Sequence, residues 1–314
     1  MNPVLSFNPA LNYQHLRKNN NNIILQNSPY ASADVDMNVY NLPIDTSIEQ
    51  WAANLSPGSI ELEAGVFLGA KDSRTYFVDT VECVLQRTSE NPSLGLELLE
   101  IAGGREDGLG ITIVTGAVEG GNAENIGFVP GDSIGQMSIT VSSGTATDVS
   151  EQVTSFSTEC LSYDATVDTI LGLPPPPADG SPQIITMKVK RLRRKPKVKL
   201  TLQYPPYEKL PDETIELFSG ENLRRAMLTR GVKLNDALSR RFDSGGIGDC
   251  GAEGTCATCV VSVQKGMDLL SKSSIQEQQM LAKNPKWRMA CKAIVGYGMK
   301  EGEMTVQVNP RQWK

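Results

Sequence analysis

Histidine is nearly absent from this chain: His15 is the single one among 314 residues, and it lies in an Asn-rich start. With one imidazole, placed in a polar, Asn-rich start, neither histidine general-base catalysis nor a His-rich metal site is expected. Aromatic residues are scarce at 6%. No apolar run reaches the roughly 18 residues that a transmembrane helix needs, so no transmembrane segment is expected. Six cysteines are too few for a disulfide scaffold. Residues 1–33 hold no Asp or Glu, and their only charges are Arg17 and Lys18. They also lack the apolar core of a secretory signal. Such a start fits an organelle transit segment or a disordered tail, and residues 1–35 are set apart from the fold. No nicotinamide- or flavin-binding motif occurs, so the chain is not expected to be an enzyme by itself.

What is present is a strong charge asymmetry. The whole chain carries a net −6. Residues 1–186 hold 6 basic and 23 acidic residues, while residues 198–314 hold 17 basic and 13 acidic ones. Between them, Lys188, Lys190, Arg191, Arg193, Arg194, Lys195 and Lys197 form a seam with no acid. Aromatics are not interleaved there, which argues against nucleic acid. The apolar positions Val189, Leu192, Val198 and Leu200 predict two strands meeting at a linker over 193–197, with the cations on solvated faces. Docking to an acidic protein or an anionic membrane is the alternative.

After an N-terminal extension over 36–74, β-branched residues dominate from Tyr76 to Leu85, and 108–114 predicts a second strand. A short helical turn is expected at Ala123–Gly127, then a turn at Pro130–Asp132 leading into a strand. The series Leu94-Gly95-Leu96, Ile113-Val114, Ala123…Gly127 and Gly131-Asp132-Ser133-Ile134 resembles a PDZ domain over 75–192. Asp164–Leu171 is similar to that family's second helix, and Ile184–Val189 to its closing strand. The stretch 142–162 and the prolines at 174–177 imply an enlarged connection around that helix. The resemblance implies a peptide groove at Leu94, Gly95, Leu96, Leu98, Thr166 and Ile170, in which an extended ligand adds a strand. The histidine common at the start of that helix is missing here, so a groove that is filled or unused remains open as a reading.

The most specific pattern lies near the C-terminal end. Cys250, Cys256 and Cys259 share a glycine-rich loop, and Cys291 follows in Trp287-Arg288-Met289-Ala290-Cys291. The spacing is C-x5-C-x2-C-x31-C. Four thiolates so spaced can hold a [2Fe–2S] core, with loop amides stabilising the charge of the reduced state. A structural zinc site normally uses two close C-x2-C pairs, and only one exists here. A redox C-x-x-C opens a helix, whereas Val260–Val263 reads as a strand. Cys83 and Cys160 lie far away in sequence and are expected to be packed thiols.

Around this loop, 198–202 and 214–217 predict a hairpin, with Ser219 capping a helix over 222–228 and Glu221 in its first turn. A capping box, Ser274-x-x-Glu277, predicts a second helix toward Leu281, and 305–308 predicts the last strand. This order resembles the plant-type [2Fe–2S] ferredoxin family, a β-grasp fold, over about 198–310, within an expected domain of 198–314. The extra residue between the first two cysteines departs from the usual spacing. The runs 256–261 and 287–296 resemble the ferredoxin-like subunits of chloroplast NAD(P)H-dehydrogenase-like complexes.

The expected fold class is therefore α+β: a PDZ-like, partly open β-barrel followed by a β-grasp ferredoxin domain. The resemblance implies one [2Fe–2S] cluster on Cys250, Cys256, Cys259 and Cys291. It implies one-electron transfer between redox donor and acceptor proteins, tethered to a protein complex by the PDZ-like domain. The implied setting is the chloroplast, in the stroma or on the stromal face of the thylakoid, with photosynthetic, membrane-associated subunits as partners. The alternative is a structural or assembly subunit whose cluster mainly supports the fold. Free plant-type ferredoxins are strongly acidic, while residues 198–314 carry a net +4. A complex-bound ferredoxin fits that charge better than a mobile one.

Overall fold

A computed structural model of the chain describes residues 35–55, 65–103, 108–145, 148–232, 234 and 250–313. The expected tail lies, apart from its last residue, outside the described residues. The chain divides into a unit spanning Asn41–Arg194 and a unit of Lys195–Lys314, which also takes in the stretch ending at Tyr40.

The first unit begins with α1 (Ile44–Gln50), β1 (Trp51–Leu55) and β2 (Val66–Ala70). It continues through β3 (Tyr76–Arg87), β4 (Leu96–Ala102), β5 (Ile111–Ala117), β6 (Ser133–Thr145), β7 (Asp148–Ser157), α2 (Tyr163–Leu171) and β8 (Gln183–Arg194). A four-stranded sheet has the order β3-β8-β6-β7, and β1-β2 and β4-β5 are separate antiparallel pairs. Period-2 alternation builds the core: Ile185, Met187 and Val189 on β8 pack with Cys83, Leu85, Met137 and Ile139. Most of the stretch expected as an enlarged connection is the hairpin β6–β7. The residues at 123–127 form turns rather than a helical segment.

The basic seam differs from its expected form. Residues 193 and 194 continue β8 instead of starting a linker. Arg191 and Arg193 fall on the same face as Ile185, Met187 and Val189, because all are two residues apart. Both are buried. Arg191 grips Asp132 through two bonds, Nε to Oδ1 at 2.8 Å and Nη2 to Oδ2 at 2.7 Å, and donates to the Gly127 carbonyl at 2.7 Å. Arg193 donates to Asp79 Oδ2 at 2.8 Å and to the side chain of Asn41. Lys190 pairs with Glu159. The Gly131-Asp132 step is a junction: Trp51 Nε1 donates to the Gly131 carbonyl at 2.8 Å. Gly131 has φ +100, and a Cβ there would meet Ser47 at 2.7 Å. A side chain at 131 is excluded on both counts.

The second unit contains β9 (Lys197–Gln203), β10 (Glu213–Phe218), α3 (Leu223–Thr229), β11 (Val260–Lys265), α4 (Ile275–Leu281), β12 (Trp287–Met289) and β13 (Gly302–Val308). Its sheet order is β10-β9-β13-β11-β12, with β9 and β13 parallel and the other neighbours antiparallel. Buried Val198, Leu200 and Leu202 alternate with less buried residues on β9, and Met304, Val306 and Val308 do so on β13. The architecture is thus mixed α/β and mostly sheet.

The capping box of α4 is present, with the Ser274 hydroxyl accepting from the Glu277 amide at 3.2 Å. The cap of α3 is Asn222, not Ser219: Asn222 Oδ1 accepts from the Arg225 amide at 3.1 Å. Ser219 instead donates to the Gly296 carbonyl, and Glu221 lies before the helix in an ion pair with Arg230. A 3-10 turn at Met37–Tyr40 also packs into this unit, where the Tyr40 hydroxyl donates to the Met299 carbonyl at 2.8 Å.

The Arg191–Asp132 pair generates a stability prediction. Asp132→Ala leaves a buried guanidinium without its partner and should destabilise the first unit by about 3–5 kcal/mol in denaturant unfolding. Asp132→Leu combined with Arg191→Met should recover most of that loss. A single variant within about 0.5 kcal/mol of the parent would show that the pair is not structural.

Candidate metal centre

The cysteine loop is built between two fixed points. At its end, β11 begins at Val260, paired with Met289 of β12, and the Ala290 amide donates to the Cys259 carbonyl at 3.1 Å. Glu277 holds β12 from below. Its buried carboxylate accepts from Arg288 Nε at 2.9 Å and from the Met289 amide at 2.6 Å. The segment carrying Cys291 is tied to α3 by three bonds. Asn222 Nδ2 donates to the Cys291 carbonyl at 2.8 Å, Leu223 N to Ala293 O at 2.9 Å, and Arg224 N to Ala290 O at 3.0 Å. Arg311 donates to the Ala257 carbonyl at 3.1 Å and stacks on the Trp287 ring at 5.3 Å.

Within the loop the backbone is left-handed at Gly251 and Gly254, and also at Ala252 and Ala257, where side chains make it costly. Such turns aim amide N–H groups inward. The Gly254 amide lies 3.3 Å from Cys250 Sγ, and the Thr258 amide 3.4 Å from Cys256 Sγ. Thr258 adds its hydroxyl to Cys256 Sγ at 3.0 Å. A Cβ at Gly254 would meet Lys292 Cε at 2.6 Å, so the lysine stem lies directly across this residue.

All four cysteines of the motif are buried and free of disulfides. They form two thiol pairs, Cys250 with Cys256 and Cys259 with Cys291. Burial opposes ionisation of Cys250, yet the amides of Thr255, Cys256 and Gly254 and the Cys256 thiol pull it down to about 6. The Cys291 thiol lowers Cys259 by hydrogen bonding, helped by the nearby Arg224 charge. The same bond, with burial, pushes Cys291 up. Among the described residues, no three His, Cys, Asp or Glu side chains converge on a point that could hold a single ion. A binuclear iron core asks for a different donor set, two thiolates on each iron, and the sulfurs come in two pairs. The Thr255 hydroxyl oxygen is buried in this loop with no hydrogen-bond partner in the protein. A cluster sulfur would supply the missing acceptor. The donor set therefore fits a [2Fe–2S] group.

The other two cysteines are ordinary core thiols. Burial raises Cys83 to about 12 and Cys160 to about 11, which leaves them unreactive. Thr255, Lys292 and Arg311 escape a reading from spacing alone, because their roles depend on where the loop folds.

The six residues of the expected peptide groove are also located. Leu94 is buried, and Leu96, Leu98 and Ile170 pack against the same core cluster. Gly95 has φ +72, with its carbonyl accepting from the Val118 amide at 2.9 Å. Its own amide donates to Ser93 Oγ at 3.2 Å. Thr166 is buried, with its hydroxyl oxygen unpartnered. Glu100 accepts from the Tyr163 amide at 3.0 Å, which ties β4 to the start of α2.

Residues 227–296 match the 2Fe-2S iron-sulfur cluster binding domain family. The chain is 33% identical over 111 residues to the Arabidopsis thaliana protein named photosynthetic NDH subunit of subcomplex B 3, chloroplastic. That match covers 33% of this chain and 52% of the relative, so the chain spans about half the length of the curated relative it matches. Among solved structures, the ISC-like [2Fe-2S] ferredoxin of Pseudomonas putida is 24% identical, covering 36% of this chain and 91% of that one at a TM-score of 0.27. The ferredoxin of Trichomonas vaginalis is 13% identical, covering 35% and 99% at a TM-score of 0.26. The C-terminal part of the chain is therefore a ferredoxin-type [2Fe–2S] domain, related to a photosynthetic NDH subunit, and its cofactor is a [2Fe–2S] cluster.

Proposed function

We propose that this protein transfers single electrons through one [2Fe–2S] cluster ligated by Cys250, Cys256, Cys259 and Cys291. The observation that carries the reading is the arrangement of four buried thiols in two pairs, facing inward amides, inside a ferredoxin-type domain. When bound, the cluster supplies one-electron chemistry. The chain's own residues hold the thiolates, donate to the cysteine sulfurs from the amides of Gly254 and Thr255 and from Thr258, and keep water away with the apolar residues of the second unit, while the unpartnered Thr255 hydroxyl would donate to a cluster sulfur. Donors to sulfur favour the more negative, reduced state and so raise the reduction potential.

The first unit is proposed as a PDZ-like tether to a protein complex. The open side of β4 favours it: among the described strands β4 pairs only with β5, and α2 packs nearby. An extended peptide would add there, beside Leu96, Leu98 and Ile170. The setting is proposed as the chloroplast, at the stroma or the stromal face of the thylakoid. The name of the Arabidopsis relative supports a photosynthetic complex as the partner. No helix among the described residues is long and apolar enough to cross a membrane.

Purified protein should contain about two irons and two acid-labile sulfides per chain and show an S = 1/2 signal on reduction. Cys291→Ser should abolish or severely deplete the cluster, while Cys83→Ser and Cys160→Ser keep full iron content. Loss of iron in the Cys160 variant would sink the ligand assignment.

Thr255→Val should keep the cluster but lower its midpoint potential by about 20–60 mV, the equivalent of one hydrogen bond of about 0.5–1.5 kcal/mol. Thr255→Ser should restore the potential. An unchanged potential in the valine variant would mean the hydroxyl does not reach sulfur.

Ile170→Arg should release the protein from its native complex in a co-sedimentation assay without changing iron content. Retained association would remove the groove from the tethering role.

A further inference from the structure

Among the described residues, the rim of the cysteine loop is cationic, although the chain as a whole is acidic. Lys292 follows Cys291 and lies across Gly254, bringing an ammonium group over the loop while its charge acts on the Cys291 sulfur. Arg224 sits in the first turn of α3, with its amide bonded to Ala290 O and its charge acting on Cys259. Arg225 is exposed in the same turn, and its amide is held by Asn222, the side chain that also grips the Cys291 carbonyl. Arg311 reaches the Ala257 carbonyl from the other side. The described acids nearby are fewer. Glu253 is exposed in the loop, and Glu221 is engaged by Arg230 and the Phe218 amide.

Two features argue that these cations serve more than folding. The first turn of α3 carries two arginines and no acid, against the helix dipole, which favours acids at that end. Leu228 stands three residues from Arg225 and is 43% exposed, so the helix presents an apolar side chain beside its charge. A mixed cationic and apolar rim of this kind is what a small, transient electron-transfer contact uses.

We propose that the surface formed by Arg224, Arg225, Lys292 and Leu228 is the electron-transfer docking face, and that its partner is a redox protein presenting Asp and Glu side chains. This rests on the reading that the cysteine loop carries a redox-active cluster. A docked molecule at this face must exchange an electron with the loop, which a lipid headgroup or a nucleic acid cannot do. Charge complementarity then selects an acidic redox protein.

The test uses the full chain with its cluster, first reduced by dithionite and freed of excess reductant. Oxidation is followed by stopped-flow absorbance with hexacyanoferrate(III) and with hexaammineruthenium(III), each of which takes one electron from the reduced cluster. After correction for driving force, the anionic oxidant should react about tenfold faster at low ionic strength, and this preference should collapse as salt screens the face. The triple variant Arg224→Gln, Arg225→Gln, Lys292→Gln should lose the preference while iron content stays full. Binding is read separately, as fluorescence anisotropy of a labelled oligoglutamate peptide, which should bind the parent about fivefold more tightly than the variant. Faster reaction with the cationic oxidant, as the net charge of the chain alone would give, would overturn the proposal. So would equal peptide binding by parent and variant, or binding to phosphatidylglycerol vesicles in place of the peptide. A chain that binds iron but cannot be reversibly reduced would instead overturn the underlying electron-transfer reading.

Discussion

Four thiol sulfurs buried together must be kept ready to carry negative charge in a place that disfavours it, and the second unit is organised around that requirement. Burial opposes the Cys250 thiolate, so the loop answers with inward amides at Gly254 and Thr255. Those amides point inward only because the chain turns left-handed at Gly251, Ala252 and Gly254. Two of the residues in this conformation across the loop are alanines, which adopt it reluctantly, so the loop is held by its neighbours and not by local preference. The holding contacts are distributed: Asn222 on the Cys291 carbonyl, Arg311 on Ala257, and Glu277 on the Met289 amide. Each comes from a different element, and each is a side chain bonded to backbone, which fixes position without adding thiol chemistry of its own.

The buried carboxylate–guanidinium pairs follow one logic in both units. Asp132 with Arg191 and Glu277 with Arg288 are each almost fully enclosed. In each pair the acid also accepts a backbone amide, from Val129 and from Met289. A buried pair of this kind adds little net stability over apolar side chains of similar size, but removing one member is costly. Its contribution is register. Asp132 sets the entry into β6, and Glu277 sets the short strand that delivers Cys291.

Much of the second unit is legible in the sequence because its information is local. Alternation at Val198, Leu200 and Leu202, the capping box at Ser274 and Glu277, and the spacing of Cys250, Cys256, Cys259 and Cys291 can each be read from short stretches of chain. What escapes reading is non-local. Asn222, not Ser219, caps α3, and the Ser219 hydroxyl bonds instead to the Gly296 carbonyl, 77 positions away. Tyr40 joins the second unit through a bond from its hydroxyl to the Met299 carbonyl that spans 259 positions, which no periodicity announces. The basic seam misleads for a subtler reason. Its alternation is visible, but Val189 fixes the face on which Arg191 and Arg193 fall, and that face is the core. Arginine there is tolerable only with Asp132 and Asp79 already in place. A charged residue at an inward position of a strand is therefore better read as a search for its partner than as an end to the strand.

Charge read over a whole chain and charge read at a site answer different questions. Interactions between exposed charges fade beyond about 8–10 Å at physiological ionic strength. The acids of the first unit govern solubility and long-range repulsion. At Cys259 and Cys291 the charges of Arg224 and Lys292 act directly. On the proposed function, those same two cations would stabilise the added electron from inside and shape the approach of a partner from outside. Potential and partner choice are thus coupled in one set of side chains, so a substitution that changes docking at this rim must also change the energy of the electron being passed.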